Sequence, residues 1–333
     1  MVLPKGNVAS LEGQRPDTKA SREWVTLALI LGCYAGFIGL GALWMSAMGW
    51  FVLPGMAVLA AFHTSLQHET IHGHPTRYAW FNELLVSLPL AVVFPYRRYR
   101  DLHLLHHNDA SLTDPYEDPE SYFWPYDTYE QMWRPIRWLF LANNTLVGRL
   151  LIGPWLTLVG FARTEFVRLV RGEEGVRAAW LLHGCGLCAL AGLVITVFGM
   201  PLWIYALCIV YPALSLTALR AYAEHQAAEN VGARTAVVEA SPIWSLLYLN
   251  NNLHIVHHAN PAEPWYALPD LYRERRHVFL AANDNTLFTG YREIFARFAF
   301  RVKQPVEHPF LYRSCLPTRS GTRDSAVSEP LRD

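Results

Sequence analysis

Charge is scarce in this chain of 333 residues: Asp, Glu, Lys and Arg make up 17% of it, and hydrophobic residues 52%. Two long segments, Trp24 to Leu66 and Ala178 to Leu219, contain no charged residue at all. Such runs exclude a water-exposed surface there. A helix needs ~20 apolar residues to cross the hydrocarbon of a bilayer, so each run has room for two crossings. The predicted spans are Trp24–Met45, Trp50–Leu66, Ala178–Phe198 and Leu202–Leu219. Turns are expected at Ser46–Gly49 and Gly199–Pro201, with Pro54-Gly55 and Gly199 to Pro201 as nearby turn signals.

Both turns also lack basic residues, which puts all 28 Lys and Arg on the opposite side. The positive-inside tendency makes that side cytoplasmic, with both termini on it. Two further apolar stretches, Leu84–Tyr96 and Leu150–Ala162, are too short to span and contain Pro89 and Pro95, and Gly153 and Pro154. They are expected to lie along the interface or against the cytoplasmic unit. The arginines after them, Arg97, Arg98 and Arg100, and Arg163, Arg168 and Arg171, are placed to meet anionic headgroups.

Cysteine is sparse as well: Cys33, Cys185, Cys188, Cys208 and Cys315 are the five present. They exclude a disulfide framework or an iron–sulfur centre, since Cys185 and Cys188 have CxxC spacing inside a span but no second pair. Packing between helices is the expected role. No cleavable signal peptide is evident in the polar opening, so residues 1–23 read as a flexible cytoplasmic arm. Residues 24–313 form one membrane catalytic domain, and residues 314–333 a disordered tail. The formal net charge is zero, and no nucleic-acid partner is expected.

Histidine, by contrast, is concentrated. Eight of the fourteen lie in three boxes: His68 and His72, then His103, His106 and His107, then His254, His257 and His258. Residues three and four apart share a helix face, so each box presents two or three ring nitrogens together. Three boxes exceed the needs of one tetrahedral zinc, and two metals are the simpler count. The first box directly follows the second span. His225 follows the fourth span in the same way and is a ninth candidate ligand. Nine imidazoles suit iron, zinc or copper better than magnesium or calcium. Coordinating rings want their second nitrogen held by a carboxylate or carbonyl. Glu69, His74 and Asp101 are candidates for that supporting layer, as are the amides Asn250 and Asn252. Asp109 and the run Asp114-Pro-Tyr-Glu117-Asp118-Pro-Glu120 are further acids nearby, most of them read as a solvated loop.

With these residues in place, the chain resembles the integral-membrane fatty acid desaturase superfamily, in its bacterial branch. The resemblance covers about residues 24 to 310 and rests on the three boxes and their order around two hairpins. Neighbouring motifs support it: His72-Gly-His-Pro-Thr-Arg77, Pro95-Tyr-Arg-Arg-Tyr-Arg100, Leu112-Thr-Asp-Pro-Tyr-Glu-Asp-Pro-Glu-Ser121 and Pro264-Trp-Tyr-Ala-Leu-Pro269. It implies an all-α integral membrane protein, with four transmembrane helices under a cytoplasmic helical cap that holds a non-haem di-iron site. The eight box histidines would be iron ligands, and His225 would match an extra histidine found in many members. Some animal relatives have an asparagine ligand four residues earlier, where this chain has Ala221.

The activity implied is O2-dependent removal of two hydrogens from an acyl chain of a fatty acid or lipid. Hydroxylation, ketolation, or desaturation of a small non-lipid metabolite are alternatives with the same ligands. Electrons would come from a separate ferredoxin or a cytochrome and reductase system, for which basic Arg273, Arg275 and Arg276 offer a docking surface. Aromatics such as Trp124, Trp133 and Trp138 suggest a cap suited to an apolar substrate. A rival of another class is a membrane zinc metallopeptidase, because His68-Glu69-Thr70-Ile71-His72 also reads as H-E-x-x-H. A metal carrier would instead place ligands inside the spans, where only His63 and His183 lie, without partners at helical spacing.

Overall fold

The computed structural model describes residues 23–311. The expected N-terminal arm lies almost wholly, and the C-terminal tail wholly, outside the described residues. Four helices are long and apolar enough to cross a membrane: α1 (Glu23–Ala42), α2 (Gly49–Ile71), α6 (Val176–Val197) and α7 (Leu202–Glu224). They pair as two hairpins, α1 with α2 and α6 with α7. Between the hairpins run α3 (Tyr96–His106), α4 (Arg134–Asn143) and α5 (Gly153–Arg171), and after them come α8 (His254–Ala259), α9 (Leu268–Ala282) and α10 (Tyr291–Phe298). The chief β-structure among the described residues is a two-stranded parallel ladder pairing Val237 with Leu287 and Val238 with Phe288.

The spans match the charge-free runs, with boundaries moved by a few residues. Pro54, a nearby turn signal, lies inside α2, and the chain reverses over residues 43–48, overlapping the expected turn. As the sixth residue of the helix, Pro54 forgoes the bond that an N–H there would make to the carbonyl of Trp50. Where α1 meets the second hairpin the backbone comes very close: a Cβ on Gly41 would sit 2.4 Å from the Phe198 ring. Both α6 and α7 contain a π-helical stretch, at Leu193–Val197 and Tyr205–Val210, next to the connecting turn.

The two short apolar stretches fare differently. The first does not lie along the interface: residues 86–95 form an irregular, largely buried segment packed among the spans. Irregular backbone is tolerated at such depth only where its polar groups are satisfied by protein, and four carbonyls here have side-chain partners. Gln67 Nε2 donates to Val86 O (3.2 Å), Tyr34 OH to Leu88 O (3.4 Å), Tyr205 OH to Leu90 O (2.6 Å) and His183 Nε2 to Val92 O (2.8 Å). His63 in turn lies 2.8 Å from the Tyr34 hydroxyl. The two intramembrane histidines thus have structural partners. The second stretch is interrupted at Gly153-Pro154 as expected, because a short helix, Leu146–Leu151, ends just before it. Proline at the first positions starts α5, and the helix runs on through the arginines to Gly172, whose left-handed φ of 69° closes it.

Arg98 is a further correction. It is buried and forms a two-point ion pair with Glu165 of α5, at 2.8 and 3.0 Å, and Trp180 of α6 donates to the same carboxylate at 3.1 Å. Arg97 pairs with Glu83 at 2.6 Å. These arginines fasten α3 to its neighbours instead of facing headgroups. On the exposed side of α4 and α5, Trp133, Trp138, Trp155, Val159, Phe166 and Val170 remain uncovered. They make an apolar shelf of the kind that sits in a membrane interface.

Candidate metal centre

The ends of α2 and α7 deliver His68, His72 and His225 to the same end of the bundle as α3 and α8. Glu23, at the start of α1, reaches that end too, 2.8 Å from His74 Nδ1. All nine candidate histidines meet there, in two groups. The first comprises His68, His72, His103, His107 and His257; the second comprises His106, His225, His254 and His258. Within each group the ligand atoms lie within 4.8 Å of one another.

Helical geometry explains this partition, which box counting does not reveal. At 3.6 residues per turn, positions four apart diverge by about 40° around the axis and adjacent positions by about 100°. His103 and His107 on α3 therefore face one group and His106 the other. On α8, His254 and His258 share the second group while His257 turns to the first. Each of the latter two boxes thus contributes to both groups and ties them together. His225 is not on a helical extension as expected. It is the residue after α7, with extended backbone (φ −120°, ψ 154°), and this bend carries its ring inward.

The ring nitrogens are spaced as ligands of a shared ion. In the first group His72 Nε2 is 3.1 Å and His107 Nε2 3.0 Å from His103 Nε2, and His257 Nε2 is 3.1 Å from His107 Nε2. In the second, His225 Nε2 lies 3.0 Å from His106 Nε2 and 2.8 Å from His254 Nε2. Metal–nitrogen bonds of about 2.1 Å at right angles place two donors about 3.0 Å apart. Buried His68 Nε2 has no hydrogen-bond partner among the described residues.

Partners on the opposite ring nitrogen fix the tautomers. Glu120 accepts from His103 Nδ1 at 2.9 Å, Asp118 from His106 Nδ1 at 2.8 Å, and the Arg234 carbonyl from His225 Nδ1 at 3.2 Å. His254 Nδ1 faces Asn251 Oδ1 at 3.3 Å and Glu224 at 3.6 Å. Glu224 also pairs with Arg220 at 3.1 Å and accepts from Asn251 Nδ2 at 2.7 Å. A ring that donates from Nδ1 presents a lone pair at Nε2. Facing lone pairs at 3 Å repel each other unless a cation lies between them, so the donor set fits a metal in each group.

Electrostatics agree with neutral, ligand-ready rings. Burial pushes His72, His225, His254, His257 and His258 well below the usual histidine range, with neighbouring imidazoles adding to the effect. His107 and His103 are also lowered, chiefly by burial. His106 differs: burial would lower it, but the Glu120 and Asp118 carboxylates outweigh burial and raise it to about 9. These carboxylates favour positive charge at that ring, whether a proton or a metal supplies it. The second group is fully buried, whereas His72 and His107 of the first are half-buried, so the first group lies nearer the exterior.

The supporting layer differs from the one expected. Asp101 pairs with Arg100 at 2.8 Å and Arg98 at 3.5 Å, and contacts no site histidine through a hydrogen bond. Asn250 Nδ2 donates to Trp265 O and Asn252 Nδ2 to Val238 O; the middle amide, Asn251, faces the histidines. His74 is engaged with Glu23. Glu69 accepts from the Trp265 backbone N–H at 3.0 Å, away from the clustered rings, so it is not placed as the general base of a zinc peptidase. The acids that do support the site, Asp118 and Glu120, belong to the run read as a solvated loop. Their density just after a histidine box, in a chain with few charges, was the available signal. Of the basic residues suggested for carrier docking, Arg273 pairs with Asp270 and Arg276 with Glu239 at 2.8 Å.

A family model described as fatty acid desaturase matches residues 42–290, a span that includes every histidine of both groups. No curated protein matches the chain.

Proposed function

The chain belongs to the fatty acid desaturase family, a family of membrane oxidoreductases, and on that premise we propose that it is an O2-dependent di-iron desaturase that introduces a double bond into an acyl chain. The observation that carries this reading is the pair of histidine groups with Nε2 atoms at the spacing of neighbouring ligands. One iron would be held by His68, His72, His103, His107 and His257, the other by His106, His225, His254 and His258. Two irons with dioxygen supply the oxidising power needed to take hydrogen from an unactivated C–H bond.

The residues around the groups bind and orient. Glu120 and Asp118 keep the protons of His103 and His106 on Nδ1, and Glu224 with Asn251 flanks His254. Burial of the second group keeps water from its rings. Substrate placement relative to the half-buried His72 and His107 would decide between desaturation and hydroxylation, because reaction outcome depends on positioning at about the ångström level. The exposed apolar shelf on α4 and α5 suits access from the bilayer. The distribution of Lys and Arg supports an orientation with the histidines cytoplasmic, and the resemblance to the bacterial branch supports a bacterial inner membrane. Electrons would arrive from a separate ferredoxin or cytochrome and reductase system.

The test has two parts. Purified protein is expected to contain two irons and no zinc; two zincs with peptide cleavage would overturn the oxygenase reading. Expression in a host with a compatible reductant, followed by mass spectrometry of lipids and polar metabolites, is expected to show an acyl product lighter by two hydrogens. A product heavier by one oxygen would make the protein a hydroxylase instead.

A further inference from the structure

Residues 302–308 lie beyond the matched family region, yet they reach two of the four members of the second histidine group. Lys303 Nζ donates to the carbonyls of Tyr222 at 2.5 Å and His225 at 2.8 Å, and lies 5.2 Å from the centre of the Tyr222 ring. The Tyr122 hydroxyl donates to the same His225 carbonyl at 2.9 Å. Gln304 clasps Ala227 through both its amide atoms, accepting from the N–H at 2.8 Å and donating to the carbonyl at 3.1 Å. Backbone bonds join Trp124 N to Val306 O (2.9 Å) and His308 N to Trp124 O (3.1 Å).

The second connection runs through the acid loop. His308 Nε2 meets Thr113 Oγ1 at 3.1 Å, Thr113 N donates to Asp118 Oδ2 at 2.8 Å, and Asp118 Oδ1 accepts from His106 Nδ1 at 2.8 Å. The segment is therefore a strap across α7's end and the loop that supports His106. Among the described residues, no hydrogen bond of Lys303, Gln304 or His308 goes to a side chain of the first group.

A helix end leaves carbonyls without intrahelical partners, and an amine beside them supplies the missing donors. At α7 the need is acute, because the chain leaves the helix at the residue whose ring must point inward. We propose that Lys303, with Tyr122, is a clamp on the His225 carbonyl that positions this ring, so that the strap governs metal binding by the second group and not by the first. This rests on the two-metal reading above. Lys303 is a positioning residue: it acts through His225 and touches no reacting atom.

The experiment uses the full chain, purified in detergent, stripped of metal and titrated with Co(II) while the visible absorption is followed. Wild type is expected to take up two equivalents. Lys303→Met is expected to retain the first with an unchanged spectrum and to bind the second at least about 10-fold more weakly, the range seen when an outer-layer partner of a ligand is lost. His225→Ala marks the spectrum of a chain lacking the second equivalent. Two equivalents bound by Lys303→Met as in wild type would overturn the clamp, and so would equal weakening of both, which is what a general loss of folding produces. If Lys303→Met cannot be recovered, Tyr122→Phe is read in the same way. A wild-type chain that takes up no second equivalent would overturn the two-metal reading and the clamp together.

Discussion

Around the two histidine groups, single hydrogen bonds at Nδ1 decide what each ring can do at Nε2. Glu120 is the cleanest case, since its carboxylate meets His103 Nδ1 at 2.9 Å and the imidazoles of His106 and His103 overcome the effect of burial to hold it well below the usual carboxylate range. Glu120→Gln keeps the shape and removes the charge. Metal affinity of the first group is expected to fall by roughly 10- to 100-fold, and that of the second, where His106 also feels the Glu120 charge, by less. Co(II) titration of the two variants, Glu120→Gln and Lys303→Met, should therefore show different equivalents weakened most. Loss of the same equivalent in both would mean that the assignment of His103 and His225 to different ions is wrong.

At the scale of elements, the question is what holds α3 in place, since it carries His103 and His106 and leads directly into His107. Its outer end is fixed by the Arg98–Glu165 pair, with side-chain exposures of 6% and 1%. Such burial makes the pair poor evidence for net stability, but breaking it leaves one buried charge without its partner, at a cost of about 3–5 kcal/mol. Arg98→Met is expected to lower the thermal unfolding midpoint in detergent clearly. The double variant Arg98→Met with Glu165→Leu is expected to recover most of that loss. A single variant melting with wild type, or a double variant no better than the single, would show that α3 is anchored elsewhere.

For the whole molecule, two hairpins and a single histidine-bearing end make a definite claim about sidedness. In a chain with its native cysteines replaced, Ser46→Cys in the first turn is expected to react with a membrane-impermeant maleimide added to spheroplasts. Arg273→Cys on α9 is expected to react only after permeabilisation. The reverse pattern would invert the orientation, and reaction of both from outside would contradict the two crossings.

Much of this architecture was already legible along the chain. A hydrocarbon interior rejects charge, so two uncharged runs were enough to place four candidate crossings, and three histidine boxes after them were enough to mark a candidate metal site. Details of backbone polar groups were not legible. The irregular segment at residues 86–95 looked like an interfacial stretch because its carbonyl partners, Tyr34, Tyr205 and His183, lie far away in sequence. Gly153-Pro154 looked only like a break and is also a helix start. Asp118 and Glu120 looked like loop acids because nothing in their local spacing says that the loop folds back onto α3.

By itself, then, the order of residues determined the spans, their pairing and the nine candidate nitrogen donors, because hydropathy and helical spacing are local and each segment carries its own. Only the tertiary structure decided how those candidates divide into two groups, which carboxylates hydrogen-bond to their rings, and that residues 302–308 return to meet the His225 carbonyl. Those relations join segments far apart in the chain, and they come into being only when packing brings the segments within hydrogen-bonding distance.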